Sequence, residues 1–351
     1  MTEKDKYWIR ETLKLAKKAK GLTSPNPMVG SIILDENGNK LCDGYHSKAG
    51  TDHAEIVALK KAGNKAKNGI LYVNLEPCCH YGKTPPCTKA IIEAGIKKVV
   101  IGSIDPNEKV SGQGINTLKE AGVEVIYGVL KEKCDELNKF FFHWIQTKKP
   151  WITLKIAATL DGYVNLGKHG KKITGLEVQK LVHQMRSEYD AVLTGSGTII
   201  EDNPQLNVRK VKGRNPIRII LDRNFKCPTE SKVFNENGKS VIFTQSSTLE
   251  NATALTNTEI IQFNGNLENA LFEIGKKGIL SVLVEAGPKL NTTFFEKDLF
   301  NDVFYFINPR LYGIPDEKKL NLYSGNLKEL EYKAINKVGK DLLITLTKTS
   351  S

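Results

Sequence analysis

The chain has 351 residues, 40% of them hydrophobic, which is enough for two domains with their own packed cores. Its 51 Lys and Arg against 39 Asp and Glu give a net charge of +12, which invites a nucleic-acid reading, but the lysines lie in scattered pairs (Lys17-Lys18, Lys60-Lys61, Lys97-Lys98, Lys171-Lys172) with no long basic tract, and small phosphorylated ligands suit the charge equally well, so charge alone decides nothing. No run of about 18 apolar residues occurs, MTEKDKYWIR has no signal-peptide apolar core, and six cysteines are too few for a disulfide scaffold; a soluble, cytoplasmic protein using cysteine for metal or redox chemistry is expected.

In chain order, Ile9, Leu13 and Ala16 share the face of a first helix that Gly21 ends. After the turn SPNP come an apolar strand, MVGSIIL, the turn signal Asn37-Gly38 and a short strand from Lys40 to Tyr45. A helix runs from Asp52 to Gly63. Strand ILYVNLE, helix CTKAIIEAG, strand KKVVIGS, helix GINTLKEAG and strand VEVIYG then alternate in the βαβ rhythm of a helix-covered sheet. One longer helix, LKEKCDELNKFFFHWIQT, closes this half, and KKP at 148–150 reads as a linker because Pro150 cannot continue it. A second α/β series follows: WITLKIAATL, a helix near Glu177 to Ser187, YDAVLTG, PIRIILD, KSVIFT, GILSVLVEAG and DVFYFI. The expectation is two α/β domains, residues 1–148 and 149–351.

His53 and Glu55 stand two apart at the head of the helix TDHAEIVALKKAG. A glutamate in a first turn needs no special reason, because it favours the helix dipole. Further on, LEPCCHYGKTPPC supplies Cys78 and Cys87 at turns next to helix starts, where the dipole favours a thiolate. Two thiolates and one imidazole make a three-ligand zinc set with a fourth position open for water. With Asp52 as the cap, His53 could ligate while Glu55 shuttles the proton of that water. A closed structural zinc, with Cys79 or His80 as fourth ligand, and plain buried thiols are the alternatives; neither gives Glu55 a task.

HAE followed by PC and a later cysteine resembles the cytidine-deaminase-like zinc enzymes, whose signature is H-x-E with P-C-x-x-C. Eight residues rather than two separate Cys78 from Cys87, and EPCCHYGKTPPC is similar to the deaminase half of the bifunctional riboflavin-biosynthesis deaminase/reductases. The resemblance implies zinc on His53, Cys78 and Cys87, proton transfer by Glu55, and substrate contacts from Asn26, His46, His80 and Lys83, the last two near a phosphate. Asp105 and Asn107 of GSIDPN end a strand where α/β sheets bind ligands. Cys79 is expected to be a bystander, since ligation would close the catalytic position.

The second half has no P-loop. Gly195 and Gly197 of TGSGTII make a weak dinucleotide signal, Asp222 ends a strand where a ribose-binding acid could sit, and Arg223 beside it favours NADP over NAD. LKIAATLDGYV, VHQMRSEYDAVLTGSGTIIEDNPQLNVR, PIRIILD and LVEAGPKLN look like the reductase half of the same family, which implies a dihydrofolate-reductase-like fold and NADPH. Ala157, Thr198, Asp202, Arg223, Gly287 and Pro288 would then contact the cofactor. Lys155, Arg186, Leu206, Arg209 and Glu285 would face the substrate, with Arg186 and Arg209 as a fork-like phosphate clamp. Gly170 and Lys172 depart from the family, which often carries a serine and a tryptophan near this Ile-Thr pair, so neither of those roles is transferred.

The resemblance thus implies a cytidine-deaminase-like three-layer domain followed by a dihydrofolate-reductase-like α/β domain. It further implies zinc-dependent deamination of 2,5-diamino-6-(5-phosphoribosylamino)pyrimidin-4-one, then NADPH reduction to 5-amino-6-(5-phosphoribitylamino)uracil, by a homodimer or homotetramer. The rivals are a nucleoside or nucleic-acid deaminase with an appended domain, expected to show the short P-C-x-x-C, and a non-catalytic zinc-stabilised binding module.

Overall fold

The computed structural model describes residues 1–81, 85–108, 110–164, 172–235, 237–249, 252–311, 313 and 329–349. It divides into two units, Met1–Lys148 and Lys149–Ser351. The first holds strands β1 (Gly30–Leu34), β2 (Lys40–Tyr45), β3 (Ile70–Leu75), β4 (Lys98–Ser103) and β5 (Glu124–Ile126), in sheet order β2-β1-β3-β4-β5. β1 is antiparallel to both neighbours, whereas β3, β4 and β5 run parallel. Its helices are α1 (Glu3–Lys17), α2 (Ala54–Ala62), α3 (Cys87–Glu93), α4 (Gln113–Glu120), α5 (Lys131–Leu137) and α6 (Lys139–Thr147).

Successive strand residues point to opposite faces, so each central strand feeds two cores. Ile32, Tyr72 and Val100 pack with Ile9 and Leu13 of α1 and Cys134 of α5. Their neighbours Ile33, Leu71, Val73, Val99 and Ile101 pack with Ala58 of α2, Ile91 of α3 and Leu118 of α4. The result is a three-layer α/β/α unit with α2 and α3 on one face, and the first turns of those two helices carry the site.

Two expectations need correction. The long closing helix is two helices, broken at Asn138 (φ −106°, ψ 17°). Asn138 is 2% exposed and clamps the Met28 backbone: its Oδ1 accepts the Met28 N–H at 2.8 Å, and its Nδ2 donates to the Met28 carbonyl at 3.0 Å. Nor is Asp52 the cap of α2. His53 occupies that position with extended backbone and no side-chain cap bond, while the Asp52 carboxylate pairs with Lys60 at 2.6 Å.

The second unit contains β6 (Trp151–Thr159), α7 (Leu176–Glu188), β7 (Ala191–Gly195), α8 (Ser196–Asp202), β8 (Ile217–Leu221), α9 (Lys232–Asn235), β9 (Ser240–Thr244), β10 (Thr258–Gln262), α10 (Leu267–Lys276), β11 (Ser281–Val284), α11 (Pro288–Glu296), β12 (Asp302–Asn308), β13 (Leu330–Val338) and β14 (Asp341–Lys348). Its sheet order is β10-β9-β8-β7-β11-β6-β12-β14-β13, parallel from β10 through β12 and antiparallel through the final hairpin. The inner parallel strands β8, β9 and β11 are mostly apolar and buried along nearly their whole length, as cover on both faces requires, with the Arg218 side chain buried in β8. Asp341, wholly buried at the hairpin turn, accepts from Gly175 N–H at 2.9 Å and Asn308 Nδ2 at 2.5 Å, tying the hairpin to the start of α7 and the end of β12. Among the described residues no helix is long and apolar enough to cross a membrane.

Candidate active sites

In the first unit, packing of α2 against α3 sets His53, at the N-cap of one helix, beside Cys87, the first residue of the other. The loop after β3 brings in Cys78. One donor atom from each of these three residues lies within 4.8 Å of the other two. His53 Nδ1 is 3.2 Å from Cys87 Sγ and 3.6 Å from Cys78 Sγ, and the Cys87 N–H donates to Cys78 Sγ at 3.4 Å, so this sulfur also takes the free N–H of a helix start. A hydrogen bond from the Cys87 thiol, with His53 and that N–H, pulls Cys78 down to about 4 despite burial. Its partner Cys87 is pushed well up, chiefly by the same bond and by burial. The Cys78 thiolate in turn raises His53 to about 9. Two sulfurs and an imidazole nitrogen holding protons between them in so small a space is the donor set that a zinc ion fits, with three protein ligands and one open position.

Glu55 lies in the first turn of α2, 3% exposed; burial raises its carboxyl to about 6 against the pull of His53, and it hydrogen-bonds the Cys87 thiol. That is the proton affinity wanted of a group that takes and gives a proton near neutrality. Cys79 lies outside the three-residue cluster, with its Sγ 4.0 Å from Gln113 Oε1.

Asn26 and His46 meet: Asn26 Nδ2 is 3.1 Å from His46 Nε2, while His46 Nδ1 is 3.1 Å from the Asp52 carbonyl. A carbonyl only accepts, which places the His46 proton on Nδ1 and leaves Nε2 to accept from the Asn26 amide. Burial lowers the His46 pKa, keeping the ring neutral. His46 and His53 stack edge to face with ring centres 5.6 Å apart. Asp105 is buried, pushed up to about 6 by desolvation, and caps a turn by accepting the Asn107 N–H at 2.8 Å. His80 is exposed, and Lys83 lies outside the described residues.

Three residues that sequence reasoning passed over hold this site in place. Asn74 and Asn138 share the Met28 carbonyl, and Asn74 Oδ1 accepts the Gly30 N–H at 2.7 Å, fixing the SPNPMVG segment. Glu76 accepts from the N–H groups of Asp105, Gly112 and Ile115 at 3.1–3.2 Å. A buried carboxylate two residues before Cys78 was the available signal.

In the second unit, the carboxyl ends of β6, β7 and β11 open on a cavity of about 510 Å³, where open α/β sheets bind ligands. Ala157, Thr198, Asp202, Gly287, Pro288, Lys155, Arg186, Leu206 and Glu285 all line it. Arg223 does not; it is exposed beyond β8, with its carbonyl accepting from the Gln245 N–H and the Thr244 hydroxyl. Asp222 is no ribose ligand here: its buried carboxylate closes a turn on the Cys227 N–H at 2.7 Å. The Gly287-Pro288 backbone at the start of α11, the Thr198 hydroxyl and two half-buried cations, Lys155 and Arg186, face one cavity, a lining that fits an anionic dinucleotide.

Both arginines of the expected clamp have protein partners. Arg186 spends its fork on Glu285, with Nε to Oε1 at 2.5 Å and Nη2 to Oε2 at 2.9 Å, and gives Nη1 to the Asn207 carbonyl. Arg209 is exposed, outside the cavity lining, and donates from Nη1 to Asn207 Oδ1 at 2.7 Å. Burial works against both charges of the Arg186–Glu285 pair, but their mutual attraction prevails, raising Arg186 and lowering Glu285. Lys155 beside them is lowered by burial. Lys172 is exposed and lines the cavity, whereas Gly170 lies outside the described residues.

Fold and donor set together define a zinc-site deaminase unit joined to a nucleotide-dependent reductase unit. Residues 2–103 match the family model of the cytidine and deoxycytidylate deaminase zinc-binding region, and residues 150–344 match that of the RibD C-terminal domain. The riboflavin biosynthesis protein RibD of Aquifex aeolicus is 41% identical over 354 residues, 97% of this chain and 98% of its own, and that of Escherichia coli is 33% identical over 367 residues, covering 97% and 99%. The crystal structure of a diaminohydroxyphosphoribosylaminopyrimidine deaminase/5-amino-6-(5-phosphoribosylamino)uracil reductase from Thermotoga maritima has a TM-score of 0.91 at 35% identity, with 99% of both chains covered. Acinetobacter baumannii RibD gives the same TM-score at 32% identity, also with 99% of both chains covered. The chain belongs to the RibD family of bifunctional deaminase/reductases of riboflavin biosynthesis.

Proposed function

We propose that the first unit deaminates 2,5-diamino-6-(5-phosphoribosylamino)pyrimidin-4-one hydrolytically and that the second reduces the ribosyl group of the product, giving 5-amino-6-(5-phosphoribitylamino)uracil. The convergence of His53, Cys78 and Cys87 beside the buried Glu55 carries this reading. Zinc, when bound by those three side chains, supplies Lewis acidity that brings a water's pKa to about 7. Glu55 accepts the water's proton and delivers it to the departing amino group, which leaves as ammonia. Asn26 and the neutral His46 orient the ring, Asp105 and Asn107 close the far side, and His80 and Lys83 reach the phosphate.

NADPH, when held by Ala157, Thr198, Asp202, Gly287 and Pro288, supplies hydride for C1′ of the ribosyl group once its ring has opened. Arg223 extends that contact surface beyond the cavity. Lys155, half-buried in the cavity wall, is the acid that can pass a proton to the substrate, Glu285 holds Lys155 and Arg186 in place, and Leu206, Arg186 and Arg209 frame the phosphorylated ribose. The proposed partners are phosphorylated pyrimidines and further copies of this chain, as a dimer or tetramer, without nucleic acid; the proposed location is the cytoplasm.

The direct test is ammonia release from the diaminopyrimidine phosphate by the zinc-loaded protein and by Glu55→Gln. The variant is expected to lose at least about 10²-fold in turnover, the lower end for general acid–base catalysis, with zinc content unchanged. Equal turnover by the variant, or release of ammonia from cytidine but not from the phosphorylated diaminopyrimidine, would contradict the assignment.

A further inference from the structure

Helix α7 meets the segment 206–209 with two side chains one turn apart. Arg186 donates from Nη1 to the Asn207 carbonyl at 3.0 Å, and His183 Nδ1 accepts the Arg209 N–H at 3.2 Å. Between those two contacts the Val208 N–H donates to Asn215 Oδ1 at 2.8 Å. Asn207 returns its own Oδ1 to the Arg209 guanidinium. Leu206, at the head of this segment, is held at φ +49°, the left-handed region that a leucine side chain disfavours, and is 3% exposed. Such a backbone conformation persists only where its surroundings over-determine it. The burial of Leu206 and those four hydrogen bonds, all on the three residues that follow it, are the surroundings here.

An imidazole nitrogen that accepts a backbone N–H must carry a lone pair, so the ring is neutral with its proton on Nε2. Burial, together with Arg186, Arg209 and Lys210, lowers His183 to about 4, so the ring stays an acceptor throughout the neutral range. His183 is 4% exposed and is not among the residues lining the cavity, which separates it from groups that could touch substrate or cofactor.

We propose that His183 is a positioning residue of the reductase site: its neutral Nδ1 fixes the Arg209 main chain and so sets Leu206 and Arg209 for the phosphorylated ribose. This rests on the reading above that Arg209 meets the substrate phosphate. The role needs an acceptor at one point in space and no proton transfer. An asparagine at this position can place Oδ1 where Nδ1 now stands.

The test uses the full-length protein, with the deaminated pyrimidine phosphate and NADPH as reductase substrates and deamination by the same molecules as the folding control. Expected for His183→Ala is a rise of about tenfold in KM for the pyrimidine phosphate, the ~1.4 kcal/mol scale of one lost hydrogen bond. KM for NADPH and deaminase turnover should stay within about twofold, and His183→Asn should recover most of the loss. If Arg209→Ala raises that KM and His183→Ala does not, the positioning role is overturned while the phosphate reading stands. If Arg209→Ala leaves it unchanged, the phosphate reading fails and the proposal falls with it. Equal impairment in His183→Ala and His183→Asn would also overturn it. Should His183→Ala not fold, His183→Asn against His183→Gln decides, since the longer side chain moves the acceptor away: a near-native Asn variant beside an impaired Gln variant supports the role, and equal behaviour rejects it.

Discussion

Glu76 shows how much of a catalytic site is built by residues with no chemistry of their own. Its carboxylate is 4% exposed and spends both oxygens on three backbone N–H groups, those of Asp105, Gly112 and Ile115. It thereby ties the strand end that carries Cys78 to the segment that carries Asp105 and Asn107. Close approach is part of the same joint, since a Cβ on Gly114 would lie 2.3 Å from the Pro77 carbonyl oxygen. Leaving a buried N–H without a partner costs about 1–3 kcal/mol. Glu76→Ala should therefore destabilise the deaminase unit by about 3 kcal/mol and raise KM for the diaminopyrimidine phosphate. Urea unfolding with a parallel deaminase assay checks both; an unfolding midpoint equal to that of the parent protein would show that the three bonds contribute nothing.

At the scale of elements, the metal-ligand geometry depends on how closely α2 approaches the first sheet. Gly44 of β2 faces that helix, and a Cβ there would lie 2.5 Å from the Ala54 carbonyl oxygen and 2.7 Å from the Ala58 nitrogen. Because Ala54 follows His53 directly, Gly44→Ala should push the first turn of α2 outward and misplace the imidazole. Zinc bound per chain after dialysis should fall well below one, while NADPH reduction of the deaminated substrate persists; full zinc occupancy would contradict this coupling. Elements whose burial repeats along the chain were legible in the sequence. Ile32-Ile33, Leu71-Tyr72 and Val99-Val100 alternate between two cores, and the β-branched and apolar residues of PIRIILD and KSVIFT mark two strands buried along most of their length. The final hairpin was not legible, because β13 is exposed along most of its length and draws its order from β14 and the buried Asp341. The break at Asn138 escaped for a related reason: its cause is Met28, far away in sequence. Donor types and their spacing made His53, Cys78 and Cys87 legible, whereas the Arg186–Glu285 pair joins residues far apart in sequence and leaves no local signal.

Across the whole molecule, among the described residues, the His53, Cys78 and Cys87 cluster belongs to the first unit and the residues lining the cavity belong to the second. The product of the first reaction is the substrate of the second, and both ligands are phosphorylated, which suits a chain of net charge +12. The measurement closest to this claim is NADPH oxidation by the zinc-loaded protein and by Glu55→Gln, each supplied first with the diaminopyrimidine phosphate and then with its deaminated product. The account predicts that the parent protein oxidises NADPH with either compound, and that Glu55→Gln does so only with the deaminated one, at the parent rate. Oxidation by Glu55→Gln on the diamino compound, or its failure on the deaminated one, would contradict two sites acting in sequence.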